Sequence, residues 1–278
     1  MTCHQFKLCY KVEVMKNLQN TTDYWQKRHH ITDLTTVGFI GLGLSFNYWM
    51  YKVREKIVQG IIEKRFDNFH AKKILDVGSG SGFYPKLFLK LGAKDITASD
   101  FSTRALSHLR KKIKKIKFLE LDITKTIPKN HLGKYDIVSA FDILYHIVDD
   151  KKYVRAIKNI SQLLKTDGLF IFTENMIESK TQRDLQQVSR ERKIIMKFLK
   201  AAGFKVKTVH PIFILMNTPV DSNNIFLRMN WYILENMLIR INFLGHIIGP
   251  ILYPIELFLL SVLKTGPSTK IILAKKER

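Results

Sequence analysis

Ile74-Leu75-Asp76-Val77-Gly78-Ser79-Gly80-Ser81-Gly82-Phe83-Tyr84 is the stretch on which the fold turns. Lys73 to Val77 is a short apolar run ending in a glycine cluster, and Tyr84 to Leu91 returns to helical spacing with Leu87, Phe88 and Leu91 apolar. The pattern predicts strand, tight turn, helix. Gly78, Gly80 and Gly82 lack a Cβ, so they can take positive φ and let a ligand come close to the backbone. A second apolar run, Ile96 to Ser99, ends in Asp100, where the next parallel strand of an α/β unit delivers a carboxylate to a ribose diol. That spacing also fits a dinucleotide fold, whose pattern is G-x-G-x-x-G. Here the glycines run G-x-G-x-G, and an acid, Asp76, precedes them.

With Asp76, Gly78, Gly80 and Gly82 in this order, the sequence resembles the class I S-adenosylmethionine-dependent methyltransferases, whose first motif is an acid followed by G-x-G-x-G. Asp100 matches the family's ribose-binding acid, and Asp122, in Leu119-Glu120-Leu121-Asp122-Ile123, matches the acid that meets the adenine amino group. The likeness continues through Tyr135 to Asp142, a fourth strand, and Leu163 to Glu174, a turn and fifth strand. It covers roughly Lys73 to His210, with Ser268 to Ala274 as a final strand. The resemblance implies an α/β, Rossmann-like, seven-stranded and mostly parallel sheet, with S-adenosyl-L-methionine as cofactor. The residues it assigns to the cofactor are Asp76, Gly78, Ser79, Gly80, Gly82, Asp100, Phe101, Asp122, Ile123 and Phe141.

Composition is consistent with one substantial α/β core: 278 residues, 46% hydrophobic. Cys3 and Cys9 are the two cysteines, which supports neither a disulfide framework nor a metal site and points to a reducing, cytoplasmic compartment. Lys7, Lys11 and Glu13 interrupt Met1 to Lys16, which argues against a secretory signal. Forty-six basic against 24 acidic residues give +22, an attraction to something anionic, either nucleic acid or a membrane surface. Arg110 to Lys117 is the densest basic run. The plainer reading is a chain that places Lys wherever a solvated residue is acceptable.

Four regions are expected: an N-terminal helical cap (1–70), the cofactor-binding core (71–212), a long apolar helical insertion (213–267), and a final strand with a basic tail (268–278). In the cap, a helix over Tyr48–Phe69 has Val53, Ile57, Ile61 and Ile62 at the spacing of a buried face. Trp25, His29 and His30 precede it as candidates to line the pocket, with packing on the sheet as the alternative for Trp25. Phe204 to His210 predicts a sixth strand and Thr269 to Ala274 a seventh. Between them, Arg228, Glu235 and Asn242 recur every seven residues as a polar stripe on an otherwise apolar helix. His246 to Leu263 is nearly apolar and long enough to span a bilayer. A single span would strand the last strand on the wrong side, and Gly249, Pro250, Pro254 and Glu256 weaken one further. An interfacial helical pair over 226–263, in peripheral contact with a membrane or capping an acceptor site, is expected, against a buried lid or a dimer contact.

Methyl transfer from a sulfonium needs in-line positioning and exclusion of water, and no metal. An oxygen acceptor must lose a proton, and His146, just after the fourth strand in Asp142-Ile143-Leu144-Tyr145-His146, is the candidate base. Tyr145 is placed beside it to orient the acceptor or pack on the cofactor. Asp142 is a secondary candidate, with a helix-capping role as its alternative, and Glu174-Asn175 is another. The reading is a methyltransferase acting at oxygen on a small or lipid-like acceptor. An RNA methyltransferase is the rival on charge, although no Asn/Asp-Pro-Pro-Tyr/Phe motif follows the fourth strand. A noncatalytic membrane-binding module that keeps the fold is the second rival.

Overall fold

The structure, a computed structural model, describes Trp25 and residues 38–277. Cys3, Cys9, His29 and His30 lie outside the described residues. Seven strands form one sheet in the order β3-β2-β1-β4-β5-β10-β9. They are β1 (Lys73–Val77), β2 (Asp95–Asp100), β3 (Lys117–Glu120), β4 (Tyr135–Ala140), β5 (Leu164–Glu174), β9 (Phe204–Pro211) and β10 (Lys270–Lys276). β1 to β5 are parallel, and β10 runs antiparallel between β5 and β9. The expected seven-stranded, mostly parallel architecture is therefore present.

Successive residues of the central strands face opposite ways, as the pleat requires. Ile137, Ile171, Ile271 and Leu273 join one core with α1 (Gly43–Arg65) and α2 (Phe83–Lys90). Val138, Phe170, Phe172, Ile272 and Ala274 join the other with α4 (Asp150–Leu163) and α5 (Arg192–Ala201). Between them in sequence, α3 (Thr103–Lys112) packs Leu109 and Ile113 on Ala98 of β2. The basic run at 110–117 falls at the end of α3 and on β3, the edge strand, where Lys117 pairs with Asp95 at 2.8 Å. Lysines there discourage edge-to-edge strand pairing.

The elements differ from expectation in three places. α1 starts five residues earlier than the spacing indicates and ends at Arg65, because Phe66 turns to extended backbone. It buries Val53 and Ile62, while Ile57 and Ile61 are half-buried. A small second sheet follows β5: β6 (Met176–Ile177), β7 (Gln182–Arg183) and β8 (Val188–Glu191). Two-residue strands carry no periodicity to read. Third, the helix α6 (Ile225–Arg240) ends before Asn242, so the polar stripe is limited to Arg228 and Glu235.

The second helix of the insertion, α7 (Gly245–Val262), packs against the N-terminal half of α1. A Cβ on Gly249 would fall 2.1 Å from Trp49 Cδ1, and one on Gly245 would fall 2.8 Å from the Phe46 nitrogen, so small residues permit this approach. Glu256, fully buried, accepts backbone N–H bonds from Ile214, Leu215 (2.9 Å) and Met216 (3.1 Å) just after β9. Burial pushes its carboxyl above the ordinary range, and these three donors pull it back in part. α7 is thus fastened to the body by the one acid in its sequence.

Candidate active site

Strand β1 delivers the chain into the glycine turn with Asp76 buried beneath it. Ser139 Oγ donates to Asp76 Oδ1 at 2.6 Å and Ser79 Oγ to Oδ2 at 2.8 Å, so the carboxylate ties β1, the turn and β4 together. Burial is the main cause that raises its pKa to about 7. Gly78 has φ 71°, and a Cβ there would stand 2.1 Å from Ile143 Cδ1. Gly82 has φ 82°, and a Cβ would stand 2.5 Å from Leu109 Cδ2. Both positions require glycine for conformation and for room.

At the end of β2, Asp100 accepts from the Gly80 N–H (3.0 Å) and the Ser102 N–H (2.9 Å). Beyond β3, Asp122 Oδ1 accepts from the Thr124 N–H (2.9 Å) and Oγ1 (2.7 Å), and Asn159 of α4 donates to the carbonyls of Ile123 (2.7 Å) and Lys125 (2.6 Å). Beyond β4, the Phe141 ring stacks on Tyr84 at 3.8 Å. These segments surround a cavity of about 770 Å³ at the C-terminal ends of the strands, where open α/β sheets bind ligands.

Gly78, Ser79, Gly80, Asp100, Phe101, Asp122, Ile123, Phe141 and His146 all line that cavity, and Trp25 does too. Asp76 and Gly82 do not: the first supports the turn from below, and the second starts α2 against α3. Nor does Tyr145, whose buried ring faces Asp142 and Arg54; burial above all raises its hydroxyl pKa well beyond the ordinary value. Glu174 is fully buried, accepts from Tyr153 Oη (3.3 Å), and is pushed by burial to about 8. Asn175 accepts from Thr269 Oγ1 at 2.9 Å.

Asp142 lines the cavity but caps no helix; Asp149 does that for α4. Its backbone has φ 58°, and its carboxylate accepts from Arg54 of α1, with Nη1 2.8 Å from Oδ2. Thr173 Oγ1 donates to it at 2.9 Å. Burial works against the Arg54 charge, yet Asp142 chiefly holds that guanidinium well above its ordinary pKa. Arg54 went unread in the sequence, although Tyr51, Arg54, Val58 and Ile62 share the buried face of α1, an odd place for an arginine.

His146 ends a short 3-10 turn, with its Nδ1 2.8 Å from the Gln186 carbonyl oxygen in the loop between β7 and β8. A carbonyl only accepts, so Nδ1 carries the hydrogen and the neutral ring keeps its lone pair on Nε2. Arg190 of β8 secures the following turn, donating to the Ile147 carbonyl (2.6 Å) and Asp150 (3.0 Å). The edge of the Trp25 ring meets His146, with centroids 4.9 Å apart.

Residues 74–168 match the family described as a methyltransferase domain. Over those residues the chain is similar to class I methyltransferase domains. S-adenosylmethionine is the cofactor of this class, and the domain's buried Asp100, close backbone approach at Gly78 and cavity of about 770 Å³ fit a nucleoside bearing a sulfonium side chain. A ubiquinone biosynthesis O-methyltransferase of Actinobacillus pleuropneumoniae is 28% identical over 120 residues, covering 40% of this chain and 49% of the relative. The chain thus spans about half the length of the curated relatives it matches. Magnesium protoporphyrin IX methyltransferase from Synechocystis PCC 6803, solved with S-adenosylmethionine bound, superposes with TM-score 0.52 at 14% identity, over 83% of this chain and 81% of that one. The cyclase SpnF superposes with TM-score 0.53 at 16% identity, over 80% of each chain. The fold therefore also serves other chemistry, and the function of this chain is argued from its site.

Proposed function

We propose that this protein transfers a methyl group from S-adenosylmethionine to oxygen on a small or lipid-like acceptor. The observation that carries the reading is the cavity shared by Asp100, Asp122 and His146. When bound, S-adenosylmethionine supplies an electrophilic sulfonium methyl. Asp100, already oriented by two backbone N–H groups, would accept from the ribose hydroxyls. Asp122 and the Ile123 backbone would hold the adenine edge, and Phe101 and Phe141 would pack about the nucleoside. His146 Nε2 takes the acceptor's hydroxyl proton, its tautomer set by the Gln186 carbonyl. Tyr51, Phe83 and Trp25 form an aromatic wall that excludes water from the transfer. Tyr145 acts behind the cavity, orienting Asp142 rather than touching the acceptor. The relatives' name supports oxygen as the accepting atom.

Calorimetry with S-adenosylhomocysteine tests the cofactor site; micromolar binding, about −8 kcal/mol, is expected. No binding would leave the noncatalytic reading in its place. Transfer of labelled methyl to apolar phenols, absent with RNA, would separate oxygen methylation from the RNA reading.

A further inference from the structure

The outward faces of α6 and α7 have no role in the cofactor cavity. On α7, Ile247, Ile251, Ile255, Phe258 and Val262 recur at spacings of three and four residues, opposite Gly245, Gly249 and Glu256, which face the body. Phe258 is 66% exposed. On α6, Trp231, Leu234 and Leu238 are buried, while Phe226, Met229, Tyr232, Ile233 and Met237 face outward, Phe226 at 73% exposure. Both helices pack on α1 or the turn before it, and the outward residues of that part of α1, Leu44 and Tyr48, are apolar too. So much exposed aliphatic and aromatic surface is unusual for a protein that stays in water.

We infer that this face docks on an anionic lipid bilayer and lies in its interface without crossing it. Charge selects that occupant. The chain carries +22, so a second copy would bring the same charge to the contact, whereas anionic headgroups attract it. Of the two acids on these helices, Glu256 is buried on the body side and Glu235 is half-buried, while Arg228, Arg240 and Lys264 are exposed. A single crossing by α7 is excluded by connectivity, because β9 before the pair and β10 after it are neighbours in one sheet. It is excluded again by Glu256, held by three backbone N–H groups of the body. α7 is the one helix among the described residues long and apolar enough to span, yet only 17% of it is buried, which suits a helix lying in an interface. The docked surface would also stand close to the cavity. Tyr48 lies on it, and Tyr51, one helical turn on, lines the cavity wall.

Co-sedimentation of the full chain with phosphatidylcholine vesicles, with and without phosphatidylglycerol, tests the inference. Binding is expected to the phosphatidylglycerol vesicles, to weaken as salt is raised, and to fall about tenfold or more in the double variant Ile251→Asp, Phe258→Asp. S-adenosylhomocysteine affinity of that variant, measured without vesicles, should match the parent, so failure of docking is distinguishable from failure of the cofactor site. Absence of vesicle binding by the parent chain would overturn the inference. Equal binding by parent and variant would overturn it as well. So would a concentration-dependent dimer, seen by sedimentation equilibrium without lipid and abolished by the two aspartates, since a second copy would then own the face.

Discussion

Asp100 and Glu256 use one device for opposite ends. Each is a buried carboxylate that accepts backbone N–H bonds, Asp100 from Gly80 and Ser102, Glu256 from Ile214, Leu215 and Met216. Asp100 sits where the parallel strands end and the chain diverges, so its surroundings open into a cavity. Glu256 sits on a long helix that covers the loop it binds, so its surroundings close. A buried acid marks a ligand site only when the backbone around it leaves room for the ligand. The same acid under a packed helix is a fastening.

That contrast can be broken from the Glu256 side first. Glu256→Ala leaves three backbone donors without their acceptor and should lower stability by about 3 kcal/mol or more, read by urea unfolding. S-adenosylhomocysteine affinity should stay within about twofold at temperatures where the variant is folded; a large loss of affinity would make the two carboxylates parts of one system. At the cavity, His146→Ala should reduce methyl transfer about 100-fold with cofactor affinity nearly intact. Full activity would leave positioning alone to account for the rate.

Asp100→Ala should reverse the Glu256 pattern. Cofactor affinity should fall by roughly 30- to 100-fold, about 2 to 2.7 kcal/mol, while stability changes by about 1 kcal/mol. A stability loss matching that of Glu256→Ala would dissolve the distinction between site and fastening.

The smallest effect expected is one of pH. Asp76 has a folded pKa of about 7, above the ordinary carboxylate value, so the folded state holds its proton more tightly than the unfolded chain does. Its contribution to stability is fully present below the unfolded pKa, about 4, and is lost as pH rises through 7. Asp76→Asn should therefore flatten the decline in thermal stability between those limits. An unchanged slope would show that another group, such as Glu174 with its pKa near 8, sets it.

The half of the cavity lined by Gly78, Gly80, Asp100 and Asp122 was legible because it is built locally. Gly78 to Gly82, Asp100 and Asp122 follow successive strands of one parallel unit, and each loop is held by neighbours in sequence or the adjacent strand. Asp76 and Gly82 were read correctly as parts of the turn but assigned to the cavity, because a motif records which residues the turn needs and not which face the ligand touches. Tyr145 was misplaced for a related reason: in a tight 3-10 turn, adjacent side chains point apart, and His146 took the cavity side.

Sequence alone determined the glycine turn, the acids at the strand ends, the parallel sheet and the apolar character of the segment before the last strand. These follow from local backbone preference and hydrophobic period, which act over a few residues. Tertiary structure decided what distant residues do to one another. Arg54 meets Asp142 across 88 positions, the Gln186 carbonyl fixes the His146 tautomer across 40, and Glu256 fastens α7 to Ile214 across 42. Each joins a buried polar group to its partner, and which partner is available depends on where packing brings the two segments together, which no local pattern encodes.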